Sequence, residues 1–326
     1  MTHPIFALDP EGYQAHALHH HEQAWRESNC YLDVWIEVLH ALGLDVEAGL
    51  AFPLASTFEH DQWTFFKPPH TDLWELYGVE VEELTLWLPL LEHAQNQVRA
   101  GRLPLVEMDA YYLPDTAGSD YRSAHVKTTI AITAVDPAAR RLRYFHNAGF
   151  HRLEGEDFDG IFRLGRPEHE DYLPPYCEIV KVDRARRLEP VALRALSLRL
   201  AAEHFARRPA ENPIRAYAAR VPEHLDLVLS RGEAAFHGYG FAAVRQLGAA
   251  FACVAAWARW LDQGAGGGWG EAAGSFEAIS GVAKMLILKL ARIASSGKVR
   301  DLSGNFEDMA QAWDAGMQRV GEQLSG

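Results

Sequence analysis

The pattern of apolar residues changes near residue 185, and this change limits the folds that the chain can adopt. Before it, segments with the two-residue period of strands alternate with helical segments; after it, every segment has the period of a helix. Long amphipathic helices that follow one another usually pack as a bundle. We therefore predict an α+β domain over residues 1–185 and an all-α helical domain over residues 186–326. Strands are expected at "LPLVEMDAYYL", "HVKTTIAITAV", "RLRYFHN" and "CEIVKVD".

Composition limits the class of protein. The chain has 326 residues, of which 48 % are hydrophobic and 23 % charged, and this length suits about two globular domains. The net charge of −13 argues against a nucleic-acid partner. Three cysteines form no disulfide framework, and the first residues lack the features of a signal peptide. The longest strongly apolar run, Leu247 to Ala258, is too short to span a bilayer. We expect a cytoplasmic protein without a membrane partner; its oligomeric state stays open.

One cysteine lies where a helix begins. In "RESNCYLDVWIEVLHALG" Ser28 is the expected N-cap, so Cys30 falls in the first helical turn. The free backbone N–H groups of that turn favour negative charge and can stabilise both a thiolate and an oxyanion. Cys30 is therefore a candidate nucleophile, and a packed structural thiol is the alternative. Cys177 and Cys253 are expected in the core. The helix should bury one stripe, formed by Leu32, Trp35, Ile36, Leu39 and Leu42.

A nucleophilic cysteine needs a base and a group that orients the base. His125 begins one predicted strand and Asn147 ends the next, and an Asp-Pro turn between them predicts an antiparallel hairpin. Such a hairpin brings the start of one strand beside the end of the other. The order Cys30, His125, Asn147 is that of a papain-like triad. His146 is an alternative base, and a polar residue at a strand edge is the alternative interpretation of His125.

Several stretches resemble a bacterial family catalogued as domain of unknown function 1839. They are "WRESNCYLDVWIEVLHALG", "FEHDQWTFFKPPH", "VEMDAYYLPDTAGSDYRSAHVKTTIAI" and "YFHNAGF", and in the helical part "YGFAAVRQLGAAF" and "VAKMLILKLAR". The chain also resembles, more distantly, the butirosin-type papain-like acyltransferase and the cysteine peptidases that process bacteriocin leaders. The positions that match are Cys30, Asp109, Tyr112, Pro114, Tyr121, His125 and Asn147.

The distant resemblance implies an activity, an acyl donor and an acceptor. A Cys30 acyl-enzyme would move an acyl or aminoacyl group from a carrier-protein thioester to a small amine. The chain itself would bind no cofactor, because the phosphopantetheine of the partner carrier protein would present the acyl group. The related peptidases have an oxyanion-hole glutamine before the cysteine, and Gln23 or Asn29 is the corresponding donor here. A cysteine peptidase or amidase with the same triad, and a non-catalytic protein that binds a carrier protein, are the alternatives.

Two further clusters near the predicted triad carry expectations. The loop before His125 is dense in tyrosine and aspartate, so we expect Asp109, Tyr112 and Tyr121 to line a substrate cleft; a strand end and a turn are the alternative. Residues 16–21 contain four histidines. We expect this run to be solvated, and we expect no metal site, because other ligands with convincing spacing are missing.

An arginine-rich segment follows the predicted sheet. Residues 184–220 hold nine arginines and three glutamates within an acidic protein. Arginine suits phosphate and carboxylate partners, so this segment is a candidate dock for an acidic carrier protein or for its phosphopantetheine phosphate. A solvated helix face is the alternative. The residues expected to bind the partner are Arg184, Arg186, Arg187 and Arg194.

Overall fold

The structure is a computed structural model that describes residues 5–20, 25–165, 173–265 and 268–325. The chain forms two compact units, and each is discontinuous in sequence. The first comprises residues 1–20, 29–44 and 73–187; the second comprises residues 21–28, 45–72 and 188–326. The last junction lies close to the predicted boundary at residue 185. Residues 45–72, which the sequence pattern placed with the sheet, belong to the second unit.

Within the described ranges the chain has a mixed α+β fold, with a sheet region followed by a helical region. The strands are β1 (Phe58–Glu59), β2 (Gln62–Trp63), β3 (Glu80–Glu83), β4 (Arg102–Asp109), β5 (Lys127–Asp136), β6 (Arg141–His146), β7 (Gly149–Glu154) and β8 (Cys177–Lys181). The helices are α1 (Cys30–Ala41), α2 (His70–Tyr77), α3 (Leu90–Arg99), α4 (Glu156–Ile161), α5 (Pro190–Ala206), α6 (Pro213–Arg231), α7 (Glu233–Tyr239), α8 (Gln246–Ala265), α9 (Trp269–Ser296) and α10 (Ser303–Ser325).

An antiparallel sheet of six strands organises the first unit. The strand order is β3-β8-β4-β5-β6-β7. The register pairs Leu105 of β4 with Ala131 of β5, and Ala131 with Phe145 of β6. Successive side chains of a strand point to opposite faces, so residues in step with Ala131 share one face of the sheet and their immediate neighbours share the other.

Helices cover both faces of this sheet. On one face α1 packs against the strands, and its first residue, Cys30, contacts Thr129 of β5. The opposite face carries Ile130 and Ile132, which belong to a buried cluster with apolar residues of α3 and α4. The sheet therefore separates two side-chain layers, and a functional group on one face cannot reach a group on the other.

The predicted strands are confirmed as β4, β5, β6 and β8, whereas β3 and β7 were not predicted. Both of these lie at edges of the sheet. The sequence of β3 is Glu-Val-Glu-Glu, and none of its residues is fully buried. An edge strand with this exposure has no apolar run that a sequence pattern could detect.

The second unit is built mainly from long helices. Trp257 of α8 donates a hydrogen bond from Nε1 to Ser197 Oγ of α5 over 2.9 Å, and Ser197 donates to the Ala48 carbonyl over 2.7 Å. Residues 45–72 also supply aromatic side chains to this unit. The Phe58 ring lies 5.0 Å from that of Tyr217 in α6. This unit is not purely helical, because β1 and β2 form a short hairpin within it.

One continuous helical stretch, Ala235–Gly264, combines α7, a π-helical segment (Gly240–Arg245) and α8. By length and composition it could cross a membrane, but 72 % of its most apolar window is buried inside the protein. A helix in the core of a globular protein has the same composition. Packing therefore accounts for the apolar side chains of this stretch.

Candidate functional site

Cys30 is the first residue of α1, and the residue before it caps the helix. The Asn29 backbone is extended, with φ −146°, and its Oδ1 accepts a hydrogen bond from the Leu32 N–H over 2.9 Å. The prediction of Ser28 as N-cap is therefore wrong by one residue. Asparagine caps a helix as well as serine does, and the Asn29 side chain satisfies the N–H of the third helical position. Cys30 still falls in the first turn, as predicted.

The remaining predictions about α1 and the cysteines concern burial. Leu32, Trp35, Ile36 and Leu39 are at most 4 % exposed, as predicted, and Leu42 is half-buried. Burial is not limited to this stripe, however, because every residue from Tyr31 to Leu39 is buried. Cys177 and Cys253 are buried, also as predicted. Cys30 is the one free cysteine with intermediate exposure.

His125 pairs with Asp109 where β4 ends. The imidazole Nδ1 lies 2.7 Å from Asp109 Oδ2, and the ring stacks on Tyr111 with 4.4 Å between ring centroids. Within the described residues Nε2 has no hydrogen-bond partner. The side chain of His125 is 66 % exposed. An imidazole that is held through Nδ1 by a carboxylate and has an open Nε2 is arranged as a general base.

Cys30 and His125 both lie near β5 but are not hydrogen-bonded to each other. The thiol of Cys30 contacts Thr129 Oγ1 at 3.7 Å. Thr129 follows His125 by four residues, and an extended chain covers about 3.3 Å per residue, so their backbones are roughly 13 Å apart. The two side chains therefore have to approach each other before His125 can take a proton from Cys30.

Asn147 lies in the turn after β6, with a left-handed φ of 44°. The register that pairs Ala131 with Phe145, continued by two residues, places Asn147 beside Thr129 rather than beside His125. The predicted hairpin forms, but its register sets Asn147 closer to the start of α1 than to the imidazole it was expected to orient. Asp109 occupies the orienting position at His125 instead.

His146 belongs to a separate group on the opposite face of the sheet. Its Nε2 lies 2.7 Å from Thr128 Oγ1, and its Nδ1 lies 2.5 Å from Asp115 Oδ2. Tyr144 OH donates to Asp115 Oδ1 over 2.5 Å. Burial alone would raise the pKa of Asp115, but the hydrogen bonds and the charge of His146 outweigh burial and lower it. This hydroxyl–imidazole–carboxylate group resembles a catalytic relay.

The group formed by Thr128, His146 and Asp115 is buried, and it does not face Cys30. His146 is 1 % exposed and Thr128 is 7 % exposed. Thr128 and Thr129 point to opposite faces, so His146 cannot serve as the base for Cys30. Sequence reasoning named His146 as an alternative base but missed Thr128 and Asp115. No local pattern joins them, because β-sheet register alone brings these three residues together.

A second buried polar cluster binds the N-terminal segment to α1. His19 contacts Glu37 through Nδ1 and Asp33 through Nε2, and Tyr13 OH donates to Glu37. Burial alone would lower the pKa of His19, but the hydrogen bonds and charges of the two carboxylates raise it to about 9. The expectation that the histidine run is solvated is therefore wrong for His19, which is 4 % exposed.

Comparison with known protein families covers both parts of the chain. Residues 14–182 match the DUF1839 N-terminal domain, and residues 191–322 match the DUF1839 C-terminal domain. The chain belongs to the DUF1839 family. The resemblance of the sequence to domain of unknown function 1839 is thereby confirmed. A comparison with curated proteins gives no match.

Three side chains of the DUF1839 N-terminal domain were expected to line a substrate cleft. Asp109 binds His125, as described above. Tyr112 is 6 % exposed and packs on Gly160, where a Cβ would lie 2.2 Å from its ring, so this tyrosine contributes to the core. Tyr121 OH donates to Asp157 Oδ2 over 3.0 Å. The predicted oxyanion donor Gln23 lies outside the described residues.

The four arginines predicted to bind a partner of this DUF1839 chain differ in their surroundings. Arg186 donates to the Glu75 carbonyl over 2.9 Å, and the guanidinium of Arg187 occupies the space that a Cβ at Gly43 would need. Arg194, in the second unit, is half-buried, and its guanidinium lies 5.5 Å from the Trp260 ring. Arg184 is exposed, and its guanidinium lies 6.0 Å from the ring of Trp74.

The part of the chain that the structure describes does not bring metal-ligating side chains together. Within residues 5–20, 25–165, 173–265 and 268–325, no group of three histidine, cysteine or carboxylate side chains is arranged to hold a metal ion.

Proposed function

We propose that this DUF1839 protein is a cysteine-dependent acyltransferase with a papain-like first unit. It would move an acyl or aminoacyl group from a carrier-protein thioester to a small amine through a Cys30 acyl-enzyme. The observation that carries the proposal is the His125–Asp109 pair, with 2.7 Å between Nδ1 and Oδ2, in the same sheet against which Cys30 packs. A cysteine at the start of a helix that packs on an antiparallel sheet supports the papain-like assignment.

In the first half-reaction the side chains of Cys30 and His125 must first come together; His125 Nε2 then takes the proton of the Cys30 thiol, and the thiolate attacks the thioester carbonyl. The tetrahedral intermediate collapses, and the phosphopantetheine thiol leaves with the proton from His125. In the second half-reaction the amine attacks the acyl-enzyme, loses its proton to His125, and Cys30 is released as a thiol. Asp109 keeps Nδ1 protonated and stabilises the imidazolium that forms in each half-reaction.

This proposal changes the role that the sequence suggested for Asn147. Asp109 orients His125, and Asn147 is assigned to the neighbourhood of Thr129 and Cys30. The backbone N–H of Cys30 is the proposed oxyanion donor, since first-turn N–H groups point along the helix axis toward an incoming carbonyl. The Asn29 side-chain oxygen already accepts the capping hydrogen bond, so a contribution from Asn29 would come from its amide nitrogen.

Detection of an acyl group on Cys30 is the decisive test of the proposed mechanism. The protein is incubated with an aminoacyl thioester of N-acetylcysteamine, which mimics the end of phosphopantetheine, and intact-protein mass spectrometry measures the adduct. We expect one acyl group on the wild type, none on Cys30→Ala, and much slower acylation of His125→Gln and Asp109→Asn. His60→Gln, which replaces an exposed histidine of the second unit, is the matched control and should react like the wild type.

The acceptor separates the transferase from its closest alternative. With an amine present, a transferase yields the amide, whereas a peptidase or amidase with the same residues yields only the free acid. Acylation that persists in Cys30→Ala contradicts both forms of the mechanism. A Cys30 that is inert toward thioesters and alkylating reagents in the folded protein supports instead a non-catalytic protein that binds a carrier.

The carrier protein is proposed to dock on the arginines near residue 185. Arg184 is the sharpest probe, because it is exposed and its contact with Trp74 does not involve a hydrogen bond. Arg184→Glu should slow acylation by an acyl-carrier protein, and more so at low salt, while leaving acylation by the small thioester unchanged. Equal effects on both donors would contradict the docking role.

A further inference from the structure

The second unit contains a cleft that the proposed acyl transfer does not use. Its volume is about 470 Å³, and it lies between the segment around Trp25, the π-helical segment (Gly240–Arg245) and α9. Small-molecule sites usually have volumes of roughly 300–1,000 Å³, so the cleft is large enough for one organic ligand. Local π-helical geometry inside an α-helical stretch is frequent at functional sites.

Aromatic side chains form the walls of this cleft. Trp25 is 9 % exposed, and its Nε1 donates to Ser280 Oγ over 2.9 Å, which fixes the indole. The residue beneath the indole is Gly248, where a Cβ would lie 2.4 Å from the ring. Phe236 and Phe241 also line the cleft, and Phe241 is 41 % exposed. Lys284 Nζ lies 5.2 Å from the centre of the Trp25 ring, so this indole is a packed wall, and the exposed ring of Phe241 is the one suited to stacking a flat ligand ring.

Cationic side chains form the rim. Arg26, Arg245 and Lys284 line the cleft, and Glu27 is the one carboxylate in its lining. Within the described residues neither Arg26 nor Arg245 forms an ion pair. Arg245 lies 5.9 Å from the ring of Phe241. In a chain with a net charge of −13, two arginines without an ion pair among the described residues favour an anionic ligand at this cleft.

We propose that this cleft binds a nucleotide, that is, a flat aromatic base that carries phosphate. The base would stack on the exposed ring of Phe241, and the phosphate would be held by the guanidinium groups of Arg26 and Arg245, whose forked donors match phosphate oxygens. A ligand with a ring alone would not use these two guanidinium groups, and an anion without a ring would not use Phe241. The nucleotide is either a free mononucleotide or the nucleotide part of coenzyme A. This inference does not depend on the acyltransferase.

Calorimetry on the full chain tests the proposal with four probes: AMP, adenosine, ribose 5-phosphate and coenzyme A. We expect AMP or coenzyme A to bind, and adenosine and ribose 5-phosphate to bind at least about tenfold more weakly, since each lacks one of the two recognised parts. Tighter binding of coenzyme A than of AMP identifies a coenzyme as the source, and the reverse order identifies a free nucleotide.

Variants locate the binding site. Arg245→Gln should weaken binding about tenfold or more, because it removes a charged donor to phosphate, and Phe241→Leu should weaken it through lost stacking. Arg231→Gln replaces an exposed arginine outside the cleft and should bind like the wild type. Circular dichroism and thermal unfolding verify that each variant is folded. The proposal is overturned if no probe binds, if adenosine binds as well as AMP, or if Arg245→Gln and Phe241→Leu both leave affinity unchanged.

Discussion

The buried imidazole of His19 predicts that the protein loses stability at alkaline pH. Asp33 and Glu37 raise its pKa from the ordinary 6.5 to about 9 in the folded state, against the opposing effect of burial. A raised pKa in the folded state stabilises it fully below the unfolded pKa, and this stabilisation is lost as pH rises through the folded pKa. A shift of about 2.5 pKa units corresponds to about 3 kcal/mol.

Urea unfolding measured between about pH 6 and pH 9.5 tests the expected loss of stability. Between pH 6.5 and pH 9 His19 keeps a proton in the folded state that it loses in the unfolded chain, so His19 should make the free energy of unfolding fall by about 1.4 kcal/mol per pH unit there. His19→Gln has no titrating group at this position and should lack this slope. The neighbouring His20 is exposed, so His20→Gln should keep it.

Two results would refute the reasoning. One is a wild-type free energy of unfolding that does not change between pH 6.5 and pH 9; the other is the same slope in His19→Gln as in the wild type. His19→Gln leaves two buried carboxylates without their cation, which is costly. If this variant does not fold, the double variant His19→Gln/Glu37→Gln removes one carboxylate and allows the same comparison.

Three substitutions test the packing of buried groups, each by urea or thermal unfolding. Thr128→Val keeps the side-chain shape but removes the hydroxyl partner of His146, and we expect a loss of about 1–3 kcal/mol. Gly160→Ala would place a methyl group 2.2 Å from the Tyr112 ring, with an expected loss of about 1–3 kcal/mol. Gln246→Met replaces a buried amide whose two polar atoms have no partner among the described residues, and we expect a gain of about 1 kcal/mol.

Each of these variants has a matched control. Thr129→Val removes only a long contact with the Cys30 thiol and should cost less than Thr128→Val. Gly274→Ala, in α9, has open space around the new methyl group and should be neutral or stabilising by up to about 1 kcal/mol. Gln318→Met, on the surface of α10, should change stability by less than about 0.5 kcal/mol. Equal effects within a pair would contradict the structural explanation.

Apolar periodicity predicted the secondary-structure elements, but it did not predict contacts between segments that are far apart in the sequence. The central strands and the stripe of α1 follow directly from apolar periodicity. The N-cap was misplaced because Ser28 and Asn29 are both good capping residues. The contact of His125 with Asp109 depends on the register between β4 and β5, which no local pattern fixes.

The sequence also could not predict that each unit is assembled from discontinuous segments. Residues 45–72 lie between parts of the first unit in the sequence, and only side-chain packing over long distances assigns them to the second. The burial of His19 has the same origin, because its partners Asp33 and Glu37 lie in a helix that the histidine run precedes by several residues. A sequence pattern reports a local period, and it does not report which distant segment covers a side chain.

The interleaved units have a consequence for synthesis on the ribosome. Phe58 and Trp63 leave the ribosome early, but their ring partners Tyr217 and Phe251 come late in the chain. At roughly 5–20 residues per second, Trp63 waits for Phe251 for roughly ten seconds or longer. During this time the aromatic side chains of this segment lack their packing partners, and an exposed aromatic segment of a nascent chain is a natural target for chaperones.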